Sequence, residues 1–234
     1  SKGFVAGGFA ETCGSITSCQ PYESEESQSM EIGLKGDFLD GALRMNAALF
    51  SVDYDSLIRS QVVRVVDASG NEFQETKIVN NGESQARGIE IEATWLPSDS
   101  FRIDFNMGYL DHEYDRYALF DVSTLGAPEG SAAAATRELD LSSLDVPFSP
   151  ELNFGLGATY DYAMTGGASI SYNLNMHYQD SYETMPFPAN SQGVDASGNF
   201  VLKQKGNTNG EDRTLVNGSI TYRTADDKLN FTLY

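Results

Sequence analysis

The stretch ARGIEIEATWLP, residues 86–97, alternates without a break. Ile89, Ile91, Ala93 and Trp95 fall on one side, Gly88, Glu90, Glu92 and Thr94 on the other. Side chains of an extended chain point to opposite faces with period two, so the stretch predicts a strand with one apolar and one polar face. The apolar side must meet either a protein core or lipid. The same rhythm recurs along the chain. Met30, Ile32 and Leu34 oppose Glu31, Gly33 and Lys35, and Leu43, Met45, Ala47 and Leu49 oppose Arg44, Asn46 and Ala48. Phe101, Ile103, Phe105, Met107 and Tyr109 alternate with Arg102, Asp104, Asn106 and Gly108. Leu152 to Tyr160, Ile170 to Tyr178, Val216 to Tyr222 and Leu229 to Leu233 repeat the pattern. Counting a first strand at residues 1–9, about nine strands are expected, and no amphipathic helix is convincing. GSAAAATRELDLSSL, residues 130–144, could form a helical turn, but its apolar spacing suits no buried face.

The connections decide more than the strands. Residues 38–41 (FLDG), 97–100 (PSDS), 163–167 (AMTGG) and 224–228 (TADDK) are short and rich in the residues of tight turns. Between them lie long polar connections at residues 10–27, 121–149 and 183–212, and a hairpin tip at 67–71 (DASGN). In an up-and-down meander this alternation puts every tight turn at one end and every long loop at the other. A soluble sandwich has no reason to sort its connections that way. Outer-membrane barrels do, and their apolar outer band is flanked by aromatic girdles, a role that Trp95, Tyr109, Tyr160 and Tyr178 would fill. The polar face would then line a lumen. No run of 18 apolar residues marks a membrane-spanning helix, which does not bear on spanning strands.

Composition agrees. The 234 residues are 40% apolar and 11% aromatic, enough to bury a core or face lipid. The formal net charge of −19 argues against nucleic-acid binding, which needs basic patches. Cys13 and Cys19 stand in ETCGSITSCQP, and that short Gly/Ser spacing suits a local disulfide of an oxidising compartment, with free thiols as the alternative. Two cysteines far from both histidines make a poor metal site, and none is expected.

Three longer segments resemble the C-terminal half of the barrel of TonB-dependent outer-membrane receptors, nearest to the iron-complex branch. They are SKGFVAGGF, SMEIGLKGDFLDGALRMNAALFSVDYDSL and NNGESQARGIEIEATWLPSDSFRIDFNMGYLDHEY. The resemblance covers most of residues 1–114, and the remainder by strand rhythm and the closing LNFTLY. It implies an all-β antiparallel meander of about nine strands, one part of a 22-stranded transmembrane β-barrel. It also implies an N-terminal plug and a final strand outside these residues, since Tyr234 falls on the polar register with Asn230 and Thr232. Residues 1–234 would then be a partial barrel domain, an open curved sheet that does not fold stably alone, because unpaired edges are untenable in hydrocarbon. The implied function is uptake of an iron complex such as a ferric siderophore across the outer membrane, without a cofactor. The TonB complex would act through the plug region, and lipid with lipopolysaccharide would surround the wall. A passive porin-like channel, or TonB-dependent uptake of cobalamin or carbohydrate, is the alternative.

Candidate chemistry is sparse. Glu90 and Glu92 share one face, but no nucleophile or histidine lies near them in sequence, so lumen-lining carboxylates are the better reading. His112 and His177 sit on separate strands among polar neighbours and read as wall residues. DASGN occurs at 67–71 and again at 195–199, and both read as turns. The outer loop YETMPFPANSQGV mixes aromatics, methionine and prolines; a loop packing on its own side chains is the plainer reading, and Tyr182, Met185 and Phe187 are its candidates for touching a hydrophobic or aromatic-rich ligand. No phosphate-cradling motif or Gly-x-Ser-x-Gly elbow is present, and no enzymatic activity is expected.

Overall fold

The computed structural model describes residues 1–10, 19–66, 70–120, 138–184, 192–194, 200–202 and 209–234. In chain order the first strands are β1 (Lys2–Val5), β2 (Glu25–Phe38), β3 (Leu43–Asp55), β4 (Ile58–Val66), β5 (Glu72–Asn80) and β6 (Gly82–Ser98). Then come β7 (Phe101–Phe120), β8 (Glu138–Asp140), β9 (Leu152–Ala163), β10 (Ser169–Gln179) and β11 (Tyr182–Glu183). The last are β12 (Gln192–Val194), β13 (Phe200–Leu202), β14 (Asn209–Gly210), β15 (Arg213–Arg223) and β16 (Asn230–Leu233). One open antiparallel sheet runs β1-β2-β3-β6-β7-β9-β10-β15-β16, with β8 on the outer half of β7. The meander foreseen by alternation is therefore present. The first strand is shorter than residues 1–9, with Gly8 joined to Tyr22 by an isolated bridge.

Register carries the face assignment across the sheet. Ile32 pairs with Leu49, Leu49 with Ile89, Ile89 with Tyr109, and Tyr109 with Leu152. Farther along, Phe105 pairs with Leu156, Leu156 with Met176, and Met176 with Val216. A one-residue slip in any strand would interrupt these rows. The opposite face is joined by polar partners in direct register. Arg44 Nε donates to Asp37 at 2.8 Å, Thr94 Oγ1 to Asp104 at 2.8 Å and Thr159 Oγ1 to Asn173 at 2.9 Å. Thr221 and Thr232 hydroxyls lie 3.0 Å apart, and Ser171 donates to Asp161. Such cross-strand pairs contribute roughly 0.2–1 kcal/mol each.

Among the described residues no second layer covers the apolar face. Ile32 is 72% exposed, Leu174 56% and Leu34 54%. The accessible area is 15219 Å², against about 10,400 Å² for a compact domain of this mass. Neither value suits a sandwich.

The four tight connections all close at one end. Leu39, Asp40 and Gly41 adopt φ of 54°, 55° and 89° between β2 and β3. The β9–β10 turn holds Gly166 and Gly167 at φ 115° and 91°, a conformation open to glycine at little cost. Between β15 and β16, Asp226 accepts from the Thr224 hydroxyl at 2.7 Å and from the Lys228 amide at 3.4 Å. These two bonds, the hydroxyl's first, hold the Asp226 carboxyl below the usual carboxylate range. At the other end the β4–β5 hairpin is anchored by Leu57, whose amide donates to Gly82 O at 2.8 Å.

A small core sits at that loop end. Leu57, Tyr114, Tyr117, Leu141 and Val146 are buried together, with Tyr54 and Leu144 packed on them. Ser84 pairs with Tyr114 but Glu83 with Arg116, so a bulge at this point brings Tyr114 and Tyr117 to one side. Their rings stack at 4.6 Å. In the 130–144 segment, residues 138–140 form β8 rather than helix, and residues 130–137 lie outside the described part, as does the second DASGN.

Candidate functional site

The sheet presents three surfaces: the apolar face, the polar face and the loop-end mouth. On the apolar face the aromatics sort by level. Trp95 lies near the tight-turn end of β6 and Tyr160 near that of β9. Tyr109 pairs with the first residue of β9, and Tyr178 stands next to the last residue of β10, both toward the loops. Trp95 and Tyr109 are each 42% exposed and Tyr160 44%. Trp95 pairs with Ile103, so the two levels are separated by the chain from Ile103 to Tyr109, ~20 Å at ~3.3 Å per residue. Phe154 leans on Tyr178 at 5.3 Å and Tyr160 on Tyr172 at 6.3 Å, reinforcing each level.

The polar face carries Glu90 and Glu92 as neighbours on one strand. Glu92 accepts a long 3.5 Å contact from Asn46 Nδ2. The strand needs Gly88 for a local reason: a Cβ there would lie 2.4 Å from the Phe50 ring, which covers the glycine, and 2.5 Å from Tyr109 O. Two further glycines make room for asparagine side chains, since a Cβ at Gly155 would meet Asn106 Oδ1 at 2.5 Å and one at Gly157 would meet Asn175 Oδ1 at 2.9 Å. His177 pairs with Gly155 and Leu215 on this face, remote from the carboxylate pair. Among the described residues no acid/base or nucleophile constellation is assembled around Glu90 and Glu92. Among the described residues no group of three or more His, Cys, Asp or Glu could hold a metal ion.

At the mouth, Tyr182 is half-buried and lines a polar cleft of about 270 Å³ with His112, Asp145, Ser149, Glu151 and Asp180. Its ring lies over Gly210, where a Cβ would come within 2.4 Å. Phe148 is 69% exposed with φ of 57°, and its ring sits 5.9 Å from that of Tyr182. Phe148 was missed in the sequence, where it stands between prolines in a polar segment with no periodic signal. His112, above the apolar band, lies 3.0 Å from Ser149 Oγ and 3.4 Å from Ser84 Oγ. Burial, then the nearby Arg59 charge, pushes its pKa down. Burial likewise raises the Tyr114 and Tyr117 hydroxyls. Met185, Phe187 and Cys13 lie outside the described residues, and Cys19 stands in a turn before Gln20.

A family model described as "TonB dependent receptor-like, beta-barrel" matches residues 1–234. The chain belongs to this TonB-dependent receptor family. Among curated relatives of the receptor, the probable TonB-dependent siderophore receptor PiuA of Acinetobacter baumannii is 34% identical over 94 residues, 40% of this chain and 11% of that protein. The ferric-pyoverdine 358 receptor of Pseudomonas putida is 32% identical over 78 residues, 33% of this chain and 9% of that protein. The match spans about a tenth of each relative. Among solved receptor structures, the ferric yersiniabactin uptake receptor FyuA of Yersinia pestis superposes with a TM-score of 0.60 at 14% identity, over 95% of this chain and 26% of that one. BauA, the ferric preacinetobactin receptor of Acinetobacter baumannii, gives 0.53 at 17% identity, with 95% and 26% covered. At these identities the likeness is one of fold.

Proposed function

We propose that the chain supplies wall and loops to an outer-membrane receptor that takes up an iron complex of the ferric-siderophore kind. The observation that carries this is the unbroken apolar register on one face of the main sheet, uncovered by any second layer among the described residues and combined with tight turns gathered at one end. Hydrocarbon tolerates such a surface and water does not. The siderophore class is supported by the names of the two curated relatives, a probable siderophore receptor and a ferric-pyoverdine receptor.

In this reading ligand meets the long-loop mouth, where Tyr182, Met185 and Phe187 contribute contacts. Trp95, Tyr109, Tyr160 and Tyr178 seat the wall at the two membrane interfaces, beside phospholipid and lipopolysaccharide. A Cys13–Cys19 disulfide closes a short outer loop. Energy arrives from the TonB complex through parts of the receptor beyond these residues, and the wall performs no bond-breaking chemistry of its own.

The test is uptake of radioactive iron by cells carrying or lacking the full-length gene, under iron limitation and with a panel of ferric siderophores. Loss of uptake of at least one complex, in both the gene deletion and a TonB deletion, is expected. Uptake that survives TonB deletion would favour a passive channel. Loss of cobalamin or carbohydrate uptake alone would move the receptor to another ligand class.

A further inference from the structure

The apolar face is unevenly filled. Leu174 in β10 pairs with Ala158 on one side and with Gly218 on the other, so small residues flank it in both neighbouring strands. A groove of about 450 Å³ opens over this row, walled by Phe101, Tyr160, Tyr172, Ile220, Leu233 and Tyr234. That volume lies within the range of ligand-binding clefts. By strand parity the Asn173 and Ser219 side chains point to the other face, leaving tyrosine hydroxyls as the polar groups of the rim. Tyr160 and Tyr172 stack at 6.3 Å, and Phe101 meets Tyr160 edge-on at 6.3 Å, so the wall nearest the tight turns is a braced aromatic rim.

The geometry points to a seat for one acyl chain of a glycerophospholipid, with the Tyr160 and Tyr172 hydroxyls at the level of its ester groups. This rests on the proposed membrane reading of the apolar face. The groove is continuous with that face: its floor belongs to the row next to Phe105, Leu156 and Met176, with no polar side chain between. An occupant with peptide or sugar groups would leave them unsatisfied in such a trough, whereas methylenes need no partner. The tyrosine rim lies at the tight-turn end, away from the loops, so the occupant comes from the periplasmic leaflet and is phospholipid rather than lipid A.

Gly218 offers a clean test. A Cβ there would meet only Asn173 O at 3.6 Å and Leu174 Cδ1 at 3.8 Å, so a side chain can leave the backbone at this point without a clash, and in Gly218→Leu it projects from the groove floor. Full-length receptor in mild detergent, incubated with dioleoyl phosphatidylethanolamine, is weighed by native mass spectrometry. The fraction retaining one tightly held lipid should fall about tenfold in Gly218→Leu, the equivalent of roughly two methylene contacts. Val216→Leu, on the same face but outside the groove, should match wild type. Hexa-acyl lipid A should be retained equally by wild type and Gly218→Leu. Equal phosphatidylethanolamine retention by wild type and Gly218→Leu, or no retention by either, overturns the seat and leaves the transporter reading standing. A groove-dependent loss of lipid A instead overturns the leaflet assignment. A full-length protein that never inserts into vesicles overturns both readings.

Discussion

Arginine at position 156 should separate the two faces of the sheet sharply. Leu156 is 43% exposed and lies in register between Phe105 and Met176. It stands four residues from the Tyr109 level at Leu152 and two from the Trp95 level at Ala158, ~13 and ~7 Å along the strand. It is therefore inside the apolar band but off its centre. A cationic side chain on the lipid face costs ~2–4 kcal/mol at the midplane and less toward the interfaces. About 2–3 kcal/mol is expected here, a fall of roughly 30- to 150-fold in the folding equilibrium. Asn217 pairs with Asn175 on the polar face and is exposed, so Asn217→Arg should stay within about 0.5 kcal/mol of wild type. The assay is urea titration of full-length protein folded into phospholipid vesicles, read by the shift of folded protein on unheated gels. Equal costs at the two positions, or a larger cost at Asn217, would refute the face assignment. Folding of wild type without lipid or detergent would refute the reason behind it.

Three further outcomes follow from named contacts and a fourth from the proposed disulfide. Gly88→Ala forces a methyl against Phe50 and the Tyr109 carbonyl and should cost about 1–3 kcal/mol in the same titration, whereas Gly108→Ala, with nothing within 4 Å, should change little. Leu141→Ala, at a fully buried position, should loosen the loop-end core by roughly 2–5 kcal/mol, seen as faster hydrogen exchange and proteolysis near residues 141–146 with the spanning strands still protected. Because the folded-state pKa of His112 lies below its unfolded value, the neutral ring costs nothing at pH 8. Protonation then destabilises the mouth as pH falls below about 6.5, and His112→Gln should remove that acid-side loss in hydrogen-exchange measurements. With Cys13 and Cys19 bonded, denatured unreduced protein should take up no maleimide, and reductant should expose two thiols.

Where one rule acts alone, the sequence was readable. The rows through Ile89, Tyr109 and Leu156 follow from period-two alternation, and the tight turns from Gly, Asp, Ser and Pro chemistry. The DASGN tip at 67–71 likewise marks the hairpin between β4 and β5. Reading fails where the period breaks. The bulge opposite Glu83 shifts Tyr117 onto the side of Tyr114, so the extension of β7 beyond Tyr109 and the core beneath it are hidden from an alternation count. Leu141 and Val146 come from a connection whose apolar residues follow neither helical nor strand spacing. Phe148 reaches Tyr182 through a left-handed backbone that a phenylalanine does not advertise. Glu90 and Glu92 were correctly read as lying on one face, but which surface they line required the neighbouring strands.

Single nitroxide labels placed in turn from residue 89 to residue 94 of full-length receptor in phospholipid vesicles probe that central face assignment most directly. Labels at 89, 91 and 93 should relax readily with oxygen dissolved in the bilayer, and those at 90, 92 and 94 with a water-soluble nickel chelate, giving a two-residue period. Oxygen access without that period, or exclusion of both reagents from 89, 91 and 93 as in a sealed protein core, would contradict the account.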